Sequence, residues 1–400
     1  MPRTGYLLVV LSTVMVVGWM ATDMYLASLP TIARELRVGV AGAQATIGVY
    51  MISFALAQLV YGPVSDRFGR RRPLIVGTAV FIVVSLAITA IETIADLLVL
   101  RFLQALGGAA GGVICLAIVR DLYDREAAAS MLARIGTIIA AAPAIAPVLG
   151  GLMLTAFGWR ANFVFLAAFG LLGLILAVIS VKETNVRPDP HALDVGALLR
   201  NYGRLLRDRT YVGYGGTMML AFSTFFAFLF ASPFVFIEVL HFAPDEFPFM
   251  ISIQVGGFLS GTLLVDRLLP KVGLERLFRG SLVLALAAGL AAAIFPVLGI
   301  VTAATIVGPM TVFAFAMGFV FPLGTAAAMA PFPTIAGSAS ALLAFSQSSF
   351  GALVGVLVGI LHDGSVLPMT TTMGAAITLA VTVFVTLVGW RPRNAAAFAD

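Results

Sequence analysis

The chain holds very few of the residues that enzymes use for chemistry. It has one cysteine, Cys115, and three histidines, His191, His241 and His362, in 400 residues. An internal disulfide and a Cys-rich metal site are therefore excluded. The histidines all fall in expected loops or at helix ends. No His-Glu-x-x-His, Gly-x-Ser-x-Gly or Gly-x-x-x-x-Gly-Lys-Ser/Thr occurs, which argues against zinc hydrolysis, serine hydrolysis and ATP-powered work. Charge is scarce as well. Asp, Glu, Lys and Arg make up 11% of the residues, against about 25% in a soluble protein. The net charge of +5 comes with no basic patch interleaved with aromatics, so nucleic acid is not an expected partner.

What is abundant is hydrocarbon. Hydrophobic residues are 60% of the chain and mean hydropathy is +1.06. Apolar runs of about twenty residues recur, each long enough to cross about 30 Å of bilayer core. They cover 6–28, 42–62, 73–91, 96–119, 131–155, 160–180, 211–238, 247–265, 278–295, 299–328, 335–361 and 368–389. The first is read as a retained helix rather than a cleaved signal. It is longer than a usual signal core, and no small-x-small cleavage site closes it. The expected fold is an all-α integral membrane protein with twelve transmembrane helices in the lipid bilayer.

The short stretch Gly62–Pro73 sets the orientation. It carries Arg67, Arg70, Arg71 and Arg72 between two apolar runs, and Lys/Arg-rich loops stay cytoplasmic. With both termini cytoplasmic, every Lys and Arg falls on cytoplasmic segments except Arg34, Arg37, Arg160 and the intramembrane Arg101. The longest polar stretch, 182–210, divides the chain. The expected domains are a six-helix bundle over 1–181, a cytoplasmic linker with an amphipathic helix over 182–210, and a second six-helix bundle over 211–400. Two parallel six-helix halves frame a central path in one large class of transporters.

Only Asp23 and Arg101 place a formal charge well inside the apolar runs. Each costs about 2.5–3.5 kcal/mol on insertion scales and so calls for a partner or a watery cavity. Their depths, about 9 and 8 Å from the outer ends of the first and fourth helices at the standard rise, suggest an ion pair. Burial and a nearby guanidinium act on a carboxylate in opposite directions, so a pair of this kind can couple proton binding to movement; it can equally be a structural lock.

The spacing Gly62-x-x-x-Asp66-x-x-Gly69-Arg70-Arg71 resembles the signature loop between helices two and three of the major facilitator superfamily. Further residues narrow the resemblance to its Bcr/CflA group of proton-driven drug exporters: Thr22-Asp23-Met24-Tyr25-Leu26 with Leu29-Pro30, Arg101-Phe102-Leu103-Gln104 with Gly107, Val119-Arg120-Asp121, Gly158-Trp159-Arg160, Ser232-Pro233-Phe234 and Gly337-Ser338-Ala339. The resemblance implies a bacterial inner-membrane antiporter. It would expel small, largely apolar antimicrobials such as phenicols, bicyclomycin-like compounds or sulfonamides in exchange for protons, with no cofactor and as a monomer. It implicates Asp23 and Arg101 in substrate and proton handling. It also implicates Gly62, Asp66, Gly69, Arg70, Arg71, Arg120 and Asp121 in holding the cytoplasmic side closed. By their chemistry, Asp66 can cap a neighbouring helix end and the arginines can pair with acids such as Asp121 or Asp124, while charges that only set topology would by themselves explain Arg70–Arg72. The exporter motif of helix five is altered. Ala146-Pro147-Val148-Leu149-Gly150-Gly151 keeps Pro147, Gly150 and Gly151, while Ala133 and Ala142 replace upstream glycines.

A substrate wall is read more broadly. Helix seven carries Phe222, Phe225, Phe226, Phe228, Phe230, Phe234 and Phe236 on all its faces, so several are expected to point at lipid and others, such as Phe226, at an apolar ligand. Trp19, Tyr50, Gln58, Gln104, Gln254 and Gln347 could orient that ligand, and helix packing explains each about as well. Trp19 and Ala27 lie four residues either side of Asp23, on one helical face. Two rivals stand beside drug export. A proton-coupled metabolite transporter would need more intramembrane polar groups, and a membrane-embedded enzyme would need a second intramembrane carboxylate or a nucleophile with its base.

Overall fold

A computed structural model describes residues 4–185 and 194–389. Arg3, the linker residues Arg187, Pro188, Pro190, His191 and Leu193, and Arg391 and Arg393 lie outside them, as does the side chain of Ala133. Every element among the described residues is helical. Twelve helices are long and apolar enough to cross a membrane.

The first span is not one helix. It comprises α1 (Thr4–Asp23), a 3-10 turn at Leu26–Ser28 and α2 (Leu29–Glu35). It continues to Glu35 rather than ending near residue 28. Asp23 is thus twelve residues from the end of the span, deeper than expected, and Ala27 does not share a continuous helical face with Trp19. The next five spans are α3 (Val40–Phe68), α4 (Arg71–Ile88), α5 (Ile94–Leu122), α6 (Arg125–Phe157) and α7 (Arg160–Ser180). The amphipathic α8 (Val195–Arg207) carries Arg204 and Arg207 in its last turn. Six spans follow: α9 (Arg209–Pro233), α10 (Phe247–Val272), α11 (Leu274–Val297), α12 (Ala303–Met329), α13 (Ala336–Ile360) and α14 (Leu367–Leu387).

Local chemistry sets the ends. Thr93 accepts from the Asp96 N–H at the start of α5, and Asp124 accepts from the Ala127 N–H at the start of α6. Thr302 and Thr305 form a reciprocal capping box on α12. Each satisfies backbone donors that a helix start leaves free. Gly69, at φ +87°, ends α3 in a conformation that L side chains rarely adopt.

The described residues form two compact units. One holds α1–α7 together with Leu229–Ser252 and Gly355–His362; the other holds Gly196–Phe228, Ile253–Val354 and the chain from Asp363. In the first unit, glycines bring helices into backbone contact. A Cβ on Gly18 would lie 2.6 Å from the Gly108 carbonyl oxygen, and one on Gly107 would lie 2.6 Å from that of Gly77. Small residues drive such packing because lipid gives no hydrophobic force between helices. One end of this unit is tied by Glu35, whose carboxylate accepts from the Trp159 indole at 2.7 Å and from Arg160 at 2.9 Å. In the second unit, Tyr214 of α9 meets Phe278 of α11 and Phe384 of α14 edge to face, and those two rings pack tilted against each other. There, the Tyr211 hydroxyl donates to the Ala339 carbonyl at 2.7 Å. Lipid-facing positions such as Val83 and Ile179 are exposed and apolar.

The phenylalanines of the seventh span do not divide between protein and lipid as expected. Phe226, Phe228, Phe230, Phe234 and Phe236 are buried, and Phe222 and Phe225 are half-buried. A helix that is apolar all round has no lipid face when neighbours surround it.

Candidate functional site

The break after Asp23 organises the site. Pro30 has no N–H to give the Leu26 carbonyl, which instead accepts from Leu29 in the tighter 3-10 geometry. Ser28 N–H turns to Tyr25. Two carbonyls, one in the last turn of α1 and one just past its end, take side-chain donors. The Ala21 carbonyl accepts from Arg101 Nη1 at 3.1 Å, and the Met24 carbonyl accepts from Asn162 Nδ2 at 3.4 Å. Asn162 also donates to Ser28 Oγ at 3.0 Å. A Cβ on Gly150 would run into the same Met24 carbonyl, so this glycine of the altered helix-five motif lets α6 close on the break.

Arg101 is fully buried, and its charge is met without a carboxylate. Nη1 donates to Gln104 Oε1 at 2.8 Å as well as to Ala21. The guanidinium lies 4.1 Å from the Tyr50 ring centroid, 4.6 Å from that of Tyr25 and 5.9 Å from that of Phe163. Aromatic faces attract a cation, and helix C-terminal carbonyls favour one. The rings are themselves fixed. Tyr50 donates to the Gly18 carbonyl at 2.6 Å, Tyr25 shares a 2.8 Å bond with Thr46, and Gln104 Nε2 donates to Ser85 at 2.8 Å. Arg101 Nε and Nη2 are buried without partners.

The expected Asp23–Arg101 ion pair is not formed: no Asp23 oxygen lies within 4.0 Å of the guanidinium. Asp23 is half-buried and takes part in no hydrogen bond or ion pair. The two charges occupy one neighbourhood, with Arg101 bonded two residues before Asp23, but their side chains are not in contact.

The other expected lining residues fall into two groups. Trp19, Tyr50 and Gln104 surround this centre, with Trp19 and Tyr50 both packed on Phe54. Phe226, Gln254 and Gln347 belong to the second unit. Phe226 packs on Phe222, which meets Phe321, which in turn meets Phe258. Gln254 is buried with both amide atoms unpartnered, and Gln347 is buried. Gln58 is half-buried near Gly112.

The basic loop forms a separate cluster. Arg70 bonds Asp66 and Ser65 through Nη1, and Asp121 through Nε at 3.0 Å. Burial works against the Arg70 charge, but the bonds to Asp121 and Asp66 outweigh it and hold its pKa above the ordinary arginine value. Arg71 finds no acid. It donates to the Val181 and Val178 carbonyls at 2.8 and 3.1 Å, at the end of α7. Asp124 caps α6 instead of pairing. Arg120 is exposed and outside the cluster, while Gly62 is half-buried on α3.

The carboxylate that bonds free helix N–H groups is Glu183, not Asp66. Its oxygens accept from Arg70 N at 2.8 Å and from Arg71 N at 3.1 Å, capping α4, and also from Thr184 and Asn185. Burial works to raise its pKa, but the four backbone bonds outweigh burial and hold the carboxyl below its ordinary 4.5. Asn185 donates to the Asp66 carbonyl at 2.8 Å, and Thr184 donates to Asp121 at 3.0 Å. The Lys182–Asn185 segment is therefore a strap across the loop. In the sequence, its only signal is an acid just past an apolar run.

Twelve spans, a broken first helix with a buried arginine beside the break, and a capped basic loop describe a multi-pass membrane protein. The family model of the Major Facilitator Superfamily matches residues 11–356, and the chain belongs to that family. Its relatives are those of the Bcr/CflA drug-antiporter group, in keeping with its motifs. It is 28% identical to the bicyclomycin resistance protein homolog of Haemophilus influenzae over 90% of this chain and 91% of that one. It is 29% identical to multidrug resistance protein D of Escherichia coli K12 over 94% and 95%. It is 32% identical to multidrug resistance protein MdtL of Escherichia coli O127:H6 over 84% and 85%. Among solved structures, a bacterial homolog of the lysosomal transporter Spinster shares the fold at a TM-score of 0.76 and 14% identity, over 98% of this chain and 100% of that one. A D-xylose–proton symporter does so at 0.72 and 16%, over 95% and 97%. The protein is a multi-pass protein of the bacterial inner membrane.

Proposed function

We propose that the protein exports small, largely apolar antimicrobials in exchange for protons, as a monomer with both termini cytoplasmic and with 1–181 and 211–400 as the two moving bundles. Phenicols, bicyclomycin-like compounds and sulfonamides, the classes that the resemblance to the Bcr/CflA group suggests, are the substrates to try first, and bicyclomycin is in the name of one relative. One observation carries the reading. A buried guanidinium with two unpartnered nitrogens, Nε and Nη2, sits beside a carboxylate that has no partner.

An unsatisfied buried donor costs about 1–3 kcal/mol, so Arg101 favours whatever acceptor reaches Nε and Nη2. Ionised Asp23 is one such acceptor, and a carbonyl or hydroxyl oxygen of a bound drug is another. A drug hydroxyl or N–H held by the ionised carboxylate loses that acceptor when the proton arrives, so proton and drug compete for Asp23, which is the coupling an antiporter needs. The tyrosine faces around Arg101 suit a flat apolar body.

The test is the susceptibility of an efflux-deficient bacterial host expressing wild type or Asp23→Asn at equal membrane levels, across those three classes. Wild-type protection that disappears in the variant supports the reading. Protection that survives leaves export standing and removes Asp23 from coupling. Wild-type failure across the whole panel favours a proton-coupled metabolite transporter, to be followed by uptake and export of labelled metabolites.

A further inference from the structure

Gln44, near the start of α3, is fully buried. Its Nε2 donates to the backbone carbonyl of Phe230 on α9 at 3.0 Å, while its Oε1 is buried without a partner. A single side chain of the second span thus reaches the backbone of the seventh. All of the groups it touches belong to one compact unit.

The surroundings are shaped for that side chain. A Cβ on Gly359 of α13 would fall into the Gln44 amide and lie 2.9 Å from Ala41 Cα. One turn earlier, a Cβ on Gly355 would run into the Phe230 ring. Two glycines on one face of α13 therefore receive the two ends of the Gln44–Phe230 contact. Alanine at either position would force a shift.

The carbonyl that Gln44 holds lies where α9 gives way. Pro233 has no N–H for the Leu229 carbonyl, which takes the Ser232 hydroxyl at 3.2 Å instead. A π-helical stretch, Phe234–Val239, follows at once. Proline and π-turns are where transmembrane helices bend, and π-turns recur at functional sites. Glycine hollows hold a side chain closely without interlocking branches around it. Hydrogen bonds between membrane helices are individually weak, so one can break in every cycle. Another contact of this unit joins α6 to α10, where Ser252 donates to the Ala144 carbonyl at 3.1 Å.

We propose that Gln44 is a releasable latch. It holds the bend of α9 against α3 and α13 while this end of the transport path is shut, and it lets go of the Phe230 carbonyl when that end opens. The proposal rests on the transport reading above and adds a positioning residue to it.

Peptide-resolved hydrogen exchange in lipid nanodiscs tests it, comparing wild type with Gln44→Leu, Gly359→Ala and the control Gly308→Ala, whose Cβ would meet nothing within 4 Å. Gln44→Leu and Gly359→Ala are expected to speed exchange in 229–240 and 355–362 by about three- to tenfold, the shift that one lost hydrogen bond gives an opening equilibrium. The control matches wild type, and 65–72 and 181–185 do not speed up. In transport, the maximal rate changes more than the apparent KM. Unchanged exchange at 229–240 in Gln44→Leu overturns the latch. So does an equal rise at both ends, which is general loosening. Gln44→Asn, too short to reach Phe230, replaces Gln44→Leu should that variant fail to fold. Exchange is read without drug or proton gradient, so failure of wild type to export any drug leaves this result interpretable and counts against the transport reading alone.

Discussion

Arg101 bonds the carbonyl of Ala21 and leaves Asp23, two residues on, untouched. The arrangement divides the work of a buried charge. Arg101 is held by neutral groups, namely a helix-end carbonyl, an amide and aromatic faces, so it stays in place whatever the charge on Asp23. The geometry depends on a planar group that can stack and donate at once, which an ammonium cannot do. Arg101→Lys is therefore expected to fold, with a melting temperature within a few degrees of wild type, and to lose at least about tenfold in drug efflux, a loss of about 1.4 kcal/mol or more. Dye or drug efflux from energised cells, beside thermal melting of the purified protein, checks both halves.

Tyr50 separates the face of a ring from its hydroxyl. The hydroxyl bonds the Gly18 carbonyl at 2.6 Å, and the face lies 4.1 Å from the Arg101 guanidinium. Tyr50→Phe keeps the face and loses one hydrogen bond, a cost of about 0.5–1.5 kcal/mol in stability, with transport retained. Tyr50→Leu loses both and is expected to impair transport several-fold more than Tyr50→Phe. Equal transport in the two variants would remove the ring face from the account of how Arg101 is held.

Asp23 and Arg101 stand out in the sequence because formal charge is rare within hydrocarbon, and the twelve runs stand out because a bilayer demands their length. The missing ion pair is not legible. Depth along a helix says nothing of side-chain direction, and the partners of Arg101 are the Ala21 carbonyl, Gln104 and the rings of Tyr25, Tyr50 and Phe163, none of which carries a formal charge. The break in the first span has one sequence signal, Pro30, whose missing N–H falls on Leu26. Glu183 is hidden for another reason: the N–H groups it caps belong to Arg70 and Arg71, more than a hundred positions earlier. The phenylalanines of α9 mislead because a helix packed on every side loses the periodicity that separates a lipid face from a protein face.

Glu183 makes the basic loop sensitive to acid. Its carboxyl lies below the ordinary 4.5 in the folded protein. A depressed folded value gives a stabilisation that is present above the unfolded pKa and lost as pH falls through the folded one. Glu183→Gln is expected to speed hydrogen exchange in 65–75 at pH 7, where the cap is ionised, by the equivalent of about 0.5–2 kcal/mol for a lost N-cap. The gap between wild type and variant, corrected for intrinsic exchange, should narrow as pH falls below the ordinary 4.5 and through the lower folded value. A gap that stays constant with pH would mean that the strap is held by Asn185 and Thr184 rather than by the charge.

Gly150 and Gly136 share α6 and differ in what a methyl group would meet. At Gly136 there is nothing within 4 Å, whereas at Gly150 the methyl would run into the Met24 carbonyl next to Asp23. That carbonyl is backbone, fixed by Asn162, so it cannot rotate out of the way as a side chain could. Gly150→Ala is expected to cost about 1–3 kcal/mol through overpacking and to reduce transport, because the only relief is to push the broken helix, and Asp23 with it, away from α6. Gly136→Ala is expected to be neutral or slightly stabilising, since alanine is the better helix former by about 0.8–1 kcal/mol. Melting curves of the two single variants, with efflux assayed at equal membrane levels, decide the matter. A Gly150→Ala protein that melts and transports like Gly136→Ala would mean that α6 does not press on the break in the first span.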